Sequence, residues 1–307
     1  MYGDFGAAKF AATRAWRLLF TDSCILSTLR RAPRLQTGVY HDVSPSVSRR
    51  TTPSKQGELM NKDIALLLHG WDYNPNEVTV RKVIGVDGIE KIQMRLDLGL
   101  LQMELIGRPD GKRPHGEESL LEYLEARREV FQRRGEDLQL SADEVSELKQ
   151  EAMQYYYRYL SLFHLGDYVG VMRDTQRNLQ VFDLVRECGE DDEERFSMEQ
   201  FRPYVLMMNT RARSCLLLEE QEFDVALEKI DAGIARIEAF FMDDVERPDL
   251  AESCREIAFL RDWKDRILSN RPLTPQEKIK RELKVAIEAE NYERAAQLRD
   301  ALRELVA

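Results

Sequence analysis

The chain has 307 residues, enough for two domains with separate cores. Hydrophobic residues make up 43% of the chain and charged residues 33%, a composition typical of a globular and mainly helical protein. The formal net charge of −10 repels phosphate, so it argues against direct nucleic acid binding by the protein as a whole.

Two further properties of the chain favour a cytoplasmic location. No apolar run approaches the roughly twenty residues that a membrane-spanning helix requires, so no membrane association is predicted. The cysteines are far apart in sequence and form no CxxC pair, which indicates reduced thiols. They are Cys24, Cys188, Cys215 and Cys254.

Residues 1–59 differ in charge from the rest of the chain. They hold nine Lys and Arg against four Asp and Glu, while the remaining residues hold 36 against 51. The segment has no sustained periodicity after Leu29, so we predict a disordered basic extension. It is either an Arg-rich segment for targeting or for an anionic surface, or an unstructured extension before a true start at Met60. We prefer the second interpretation.

Residues 60–116 are predicted to form a small β-rich head. Glu77–Ile84 is rich in Val and Thr, and Asp87-Gly88 favours a tight turn. Between Ile92 and Leu100, apolar and polar residues alternate, which predicts a strand with one buried and one wet face. The alternation changes phase near Gly99, where we expect a bulge or a bend. Two or three antiparallel strands would result, and they must pack on helices or on a partner.

The loop from Arg108 to His115 is rich in cationic side chains. It could bind an anion, but no Gly-rich phosphate motif surrounds it, so we prefer a solvated turn.

Helical periodicity dominates from Glu117 onward. Four helix starts are predicted where Ser, Thr or Asp precedes Glu or Gln by three residues, the spacing of a capping box. These positions are Ser141, Ser197, Asp249 and Thr274.

Three junctions between predicted helices share a pattern, in which an aromatic residue follows a polar one and a small or apolar residue comes three positions later. They are Gly166-Asp167-Tyr168, Glu222-Phe223 and Asn291-Tyr292. The first two resemble the turn of tetratricopeptide (TPR) repeats, but the aromatic residues are 55 and 69 positions apart, whereas that family's period is about 34. Residues 117–271 are therefore expected to form a TPR-like stack of helix pairs or a plain helical bundle.

Residues 272–307 are predicted to form a helical hairpin that reverses near 290–292, after a break at Pro272 and Pro275. Ordering about thirty residues costs on the order of 45 kcal/mol, which two short apolar stripes do not readily offset. The hairpin should therefore dock on its own protein, dimerise or bind a partner.

The hairpin sequence resembles the UVR motif of the bacterial excision-repair proteins UvrB and UvrC, which also occurs in some Clp ATPases and in activators of protein-arginine kinases. The matching residues are Leu283, Ala286, Glu288, Asn291-Tyr292-Glu293, Ala295-Ala296, Leu298-Arg299-Asp300 and Leu305. The resemblance implies hairpin-to-hairpin protein binding and no catalytic activity. The predicted partner-binding residues are Leu283, Ala286, Ile287, Tyr292, Ala295, Ala296, Leu298, Arg299, Leu302 and Leu305.

No catalytic, metal or cofactor site is predicted. The four His residues are scattered without metal-binding spacing, and the chain has no Walker A or GxSxG sequence. An enzyme that uses the head, around Arg95, Asp97 and Arg108, is the third of three functional hypotheses.

The first hypothesis, which we prefer, is a non-enzymatic interaction protein that binds a UVR-bearing partner or its own copy and is linked to bacterial nucleotide excision repair. The second is an adaptor or regulator of a Clp-type chaperone or protease. The predicted fold class is mainly α. It combines a TPR-like stack of helix pairs (117–271), a small antiparallel β head (60–116) and a C-terminal UVR-type hairpin (272–307).

Overall fold

The computed structural model describes residues 63–273 and 275–304. The predicted extension 1–59, its alternative start at Met60, the helix start at Thr274 and the contact residue Leu305 lie outside these ranges. The chain divides into two compact units, with the boundary between Gln200 and Phe201. This boundary falls inside the range 117–271, and the four domain ranges drawn from the sequence stay a prediction.

The described part of the first unit, from residue 63 on, opens with a one-turn helix and a three-stranded antiparallel sheet. Helix α1 spans Ala65–Leu68, and the strands span Val80–Ile84 (β1), Glu90–Leu96 (β2) and Gly99–Glu104 (β3). Each strand pairs with the next one along the chain. The tight turn predicted at Asp87-Gly88 is confirmed, because Gly88 has a φ of 76° between β1 and β2.

A second tight turn explains the change of phase near Gly99. Leu96 pairs with Gly99 across a two-residue loop of Asp97 and Leu98. The expected bulge or bend is therefore wrong, because the chain reverses here and the residues after Gly99 belong to β3. The side chain of Arg95 stabilises this loop, because its Nη1 donates to the Gly99 carbonyl at 2.8 Å.

Strand β2 is buried on both faces, whereas the alternation predicted one wet face. Its polar side chains Lys91 and Gln93 are buried along with the apolar residues between and beside them. Lys91 Nζ lies 2.8 Å from an Asp87 carboxylate oxygen, and Gln93 Nε2 donates to Gln102 Oε1 at 2.9 Å. Cross-strand polar contacts therefore replace water on the face that the sequence pattern assigns to solvent.

Four helices complete the first unit. They are α2 (Leu120–Arg133), α3 (Ala142–His164), α4 (Tyr168–Cys188) and the short α5 (Asp192–Phe196). The capping box predicted at Ser141 is confirmed, since its side chain and that of Glu144 each bond the other residue's backbone amide. Ser119 caps α2 in a related way, accepting from the Glu122 amide at 3.3 Å.

A buried ion pair joins α3 to α4 and to the chain that leaves the sheet. Arg158 Nε and Nη2 donate to the two carboxylate oxygens of Asp174 at 2.7 and 2.8 Å. The remaining nitrogen, Nη1, donates to the carbonyls of Glu104 at 3.1 Å and Gly107 at 2.6 Å. One guanidinium therefore holds two helices and the end of β3 together.

A second buried carboxylate fixes the start of α2. Glu151, on α3, accepts from the backbone amides of Leu120 at 2.9 Å and Leu121 at 3.3 Å, and Arg177 Nη2 also contacts it. Arg108 Nε lies 3.4 Å from the same carboxylate, so this residue is not part of the solvated turn preferred from the sequence. Burial lowers the pKa of Arg177 to about 9, so the guanidinium stays charged at neutral pH.

The second unit contains four helices before the C-terminal hairpin. They are α6 (Arg202–Glu219), α7 (Phe223–Ala239), α8 (Pro248–Glu252) and α9 (Arg255–Asn270), and a π-helical turn (Phe240–Asp244) follows α7. Helices α6 and α7 approach closely at Gly233. A Cβ atom at this position would lie only 2.3 Å from Thr210 Oγ1, so the close approach depends on glycine.

At two of the predicted helix starts a helix begins within two residues, at Glu199 with a 3-10 turn that leads into α6 and at Pro248, but the predicted side chain does not cap it. Ser197 Oγ donates to the Glu194 carbonyl at 2.6 Å and ends α5, while α6 begins at Arg202. Asp249 lies inside the first turn of α8, where its carboxylate pairs with Arg247. In both places the cap-like side chain is held by a local partner other than a free amide.

Three helix reversals share one backbone geometry, and they are the three junctions recognised in the sequence. Each has a residue of positive φ just before the cap residue: Gly166 (77°), Gln221 (63°) and Glu290 (56°). The following amide donates to the carbonyl five residues earlier: Asp167 to Leu162 at 2.9 Å, and Glu222 to Leu217 and Asn291 to Ala286, both at 2.8 Å. This is the hydrogen bond of a Schellman motif.

The mainly helical fold, the small antiparallel sheet and the C-terminal hairpin are confirmed. The likeness to TPR repeats stays a prediction. Among residues 63–273 and 275–304, no helix is both long and apolar enough to cross a membrane. Cys188 and Cys254 are buried free thiols, and burial raises the pKa of Cys254 to about 12.

Replacing Arg158 with Met should lower the free energy of unfolding of the first unit by about 3–5 kcal/mol, because it leaves the Asp174 carboxylate buried without its main partner. The double variant Arg158→Met/Asp174→Leu should recover at least half of that loss. Urea unfolding followed by circular dichroism measures both effects. The explanation is contradicted if the double variant loses more free energy of unfolding than Arg158→Met and Asp174→Leu lose together.

Opposite substitutions at two of the shared turns should change stability in opposite directions. Gly166→Ala should destabilise by about 1 kcal/mol, because Ala resists positive φ, although no heavy atom lies within 4 Å of the new Cβ. Gln221→Gly should stabilise by roughly 0.5–1 kcal/mol for the same reason. Urea midpoints of the full chain test both, and a destabilised Gln221→Gly variant would contradict the backbone explanation.

Candidate interaction site on the C-terminal hairpin

The C-terminal hairpin consists of α10 (Pro275–Glu288) and α11 (Tyr292–Glu304), which pack against each other. Asn291 makes the reversal sharp in two ways. Its amide donates to Ala286, and its Oδ1 accepts from the Arg294 amide at 3.1 Å, which caps the first turn of α11. Arg271 ties the start of the hairpin to α9, with Nη2 2.5 Å from Glu277 Oε1.

The seam between the two helices is thin. Within the described part of the hairpin, the buried side chains are those of Ala286 (6% exposed) and Leu298 (5% exposed). Leu283, Leu302 and the alanines Ala295 and Ala296 are half-buried around them. A seam centred on one alanine and one leucine gives the hairpin little hydrophobic stabilisation of its own.

Several apolar side chains of the hairpin remain exposed. Ile287 is 53% exposed and Tyr292 is 70% exposed, and both belong to the predicted partner-binding set. Val285, which was not predicted, is 57% exposed. Arg299 is exposed and pairs with the adjacent Asp300 at 2.9 Å.

An open groove of about 460 Å³ runs along one side of the hairpin. Its apolar lining residues are Leu273, Val285, Ala286, Ala289 and Leu298. Of the predicted residues, the groove therefore brings together Ala286 and Leu298, whereas the other predicted residues within the described ranges do not line it.

Charged side chains line the rest of the groove. Lys278, Arg281 and Arg294 supply positive charge, and Glu282 supplies negative charge. Arg294 Nη2 lies 3.3 Å from Glu282 Oε2, so this pair connects α11 to α10. Lys278 and Arg281 form no ion pair with any other residue in the ranges 63–273 and 275–304.

Sequence reasoning missed the groove side of α10. The signal was present, because Lys278, Arg281, Val285 and Ala289 follow one another at intervals of three and four residues and so share a face. The seam residues form a more continuous apolar stripe on the neighbouring face, and the partner-binding residues were therefore predicted there.

Within the described ranges, no group of three or more His, Cys, Asp and Glu side chains is arranged to hold a metal ion.

The comparisons with known proteins agree with the motif seen in this hairpin. The sequence model of the UVR family, described as the UvrB/uvrC motif, matches residues 275–307, which include α10 and α11. Searches of the curated proteins and of the solved structures each found no significant match. The match covers about a tenth of the chain and places a UVR motif in residues 275–307.

Proposed function

We propose that this chain is a non-enzymatic interaction protein whose C-terminal hairpin binds a UVR-bearing partner. One observation carries the proposal: a two-helix unit with a thin seam keeps Val285, Ile287 and Tyr292 more than half exposed. UVR motifs generally mediate protein–protein interaction, which supports a protein as the partner.

The energetics favour a covered state of the hairpin. Fully burying an exposed Val or Ile side chain contributes about 1.5–3 kcal/mol, so covering the exposed half of Val285 and of Ile287 would add roughly 2–3 kcal/mol in all to a unit with little interior. Rows of charged residues on the same helices, such as Lys284 and Glu288 on α10, favour a partner whose charges are complementary and so set its alignment along the helix.

The buried carboxylates support a structural rather than a catalytic role. Glu151 and Asp174 are fully buried acids of the first unit, and each is bound by arginine. Glu151 also accepts two backbone amides. Both side chains are thus occupied by contacts that hold the first unit together.

The motif gives the class of partner, and within that class we propose an excision-repair protein. The description of the matching family names UvrB and UvrC, whose motif is the one that α10 and α11 carry. A UVR-bearing Clp ATPase is the natural comparison, because it offers the same motif in a different process.

The double variant Val285→Asp/Ile287→Asp of the full chain should bind a purified UVR-bearing protein at least about tenfold more weakly than the wild type. Both side chains are exposed, so the substitutions place charge on the contact surfaces without filling the seam with it. Isothermal titration calorimetry against UvrB, UvrC and a UVR-bearing Clp ATPase gives the affinities and ranks the partners.

Val130→Asp is the matched control, because Val130 is also an exposed valine but lies on α2, outside the hairpin. It should bind like the wild type. The proposal fails if the wild-type chain binds none of these proteins, or if the double variant binds as tightly as the control.

A further inference from the structure

The two sides of α10 differ in chemistry, although both expose apolar residues. Val285 and Ile287 are two positions apart, so their side chains point about 200° apart around the helix. Val285 lines the groove and Ile287 does not. The groove can therefore be occupied or blocked without changing the opposite side.

The groove combines an apolar floor with a basic rim. Its floor includes the side chains of Val285, Ala289 and Leu298, and its rim carries three cations against one carboxylate. The carboxylate, Glu282, is already paired with Arg294. Lys278 and Arg281 thus remain as positive charges with no ion-pair partner in the described ranges.

This basic rim belongs to a chain whose net charge is −10. An anionic partner would therefore meet attraction at the groove and repulsion over the acidic remainder of the molecule. The groove has a volume of about 460 Å³ and is open to solvent. An open groove of this size suits a row of side chains from one face of a helix better than a small molecule, which usually binds in an enclosed pocket.

We propose that this groove binds a single amphipathic helix whose apolar stripe is flanked by Asp and Glu. The inference rests on the proposed function, and it specifies the contact surface that the partner presents. The partner's apolar residues lie on Val285, Ala289 and Leu298, while its carboxylates pair with Lys278 and Arg281.

Charge disfavours a second copy of this hairpin as the occupant. Helix α10 carries four Lys and Arg against three acidic residues, and α11 carries three of each. Neither helix supplies an acidic flank, so each would bring cations towards Lys278 and Arg281. A partner with a surplus of carboxylates beside its apolar stripe avoids this repulsion.

Two fluorescent helical peptides of about five turns test the proposal on the full chain. Both carry Leu at helical spacing on one face. The acidic probe has Glu on both flanks of the stripe, and the basic probe has Lys at the same positions. Fluorescence anisotropy should show the acidic probe binding at least about tenfold more tightly than the basic one, with a difference that shrinks as salt is added.

Three variants locate the site. Val285→Asp should weaken binding of the acidic probe about tenfold, and Arg281→Glu about fivefold, because each opposes one part of the groove. Val130→Asp places the same charge on α2, outside the hairpin, and should leave the affinity unchanged.

Several results would overturn the inference: no binding of the acidic probe, equal binding of both probes, or equal losses in Val285→Asp and Val130→Asp. Sedimentation that shows a dimer displaced by the probe and lost in Val285→Asp would assign the groove to a second copy instead. If Ile287→Asp alone abolishes binding of the UVR-bearing protein, the proposed function stands and the groove inference fails. If neither that protein nor the probe binds, both fail.

Discussion

Two helices that pack as a pair can shield only one side of each other, and this constraint shapes the C-terminal hairpin. Helix α10 has apolar residues in the seam, such as Leu283 and Ala286, and also Val285 and Ile287 on either side of it. Helix α11 covers the seam and leaves both flanks open. A third element is needed to complete the burial, and the hairpin is therefore built to be covered by something else.

The same reversal closes hairpins whose helices bury very different amounts of apolar surface. The turn at Gly166 joins α3 and α4, which share a full apolar core and two buried ion pairs. The turn at Glu290 has the same backbone hydrogen bonds, but it joins helices that bury one alanine and one leucine. The turn thus specifies that the chain folds back, while the volume of the side chains between the helices decides whether the pair is stable without a further element.

Local signals in the sequence predicted the elements better than the contacts between them. The capping box at Ser141 was recognised, yet Ser119 has the same spacing to Glu122 and was overlooked. Near Gly99, a change of parity fits a bulge and a hairpin turn equally well, and only strand pairing distinguishes them. The partners of Arg158 lie 16 to 54 residues away, and two of them are backbone carbonyls, which no sequence pattern reveals. At the site, the seam residues Ala286 and Leu298 were predicted from periodicity, whereas the groove side of α10 was hidden by its mixed composition.

The carboxylate of Glu151 has a further consequence for the architecture of the first unit. It reaches from α3 to the first two amides of α2, so the point at which α2 begins is set by a helix that follows it in the chain. The connection between these helices, residues 134–141, holds its own place through its last part, where Leu138 and Leu140 are buried and the Leu140 amide donates to the Cys188 carbonyl at 2.8 Å. Substitutions at the exposed positions 134–137 should therefore leave the register between α2 and α3 unchanged, because that register is set by Glu151 and by the buried end of the connection.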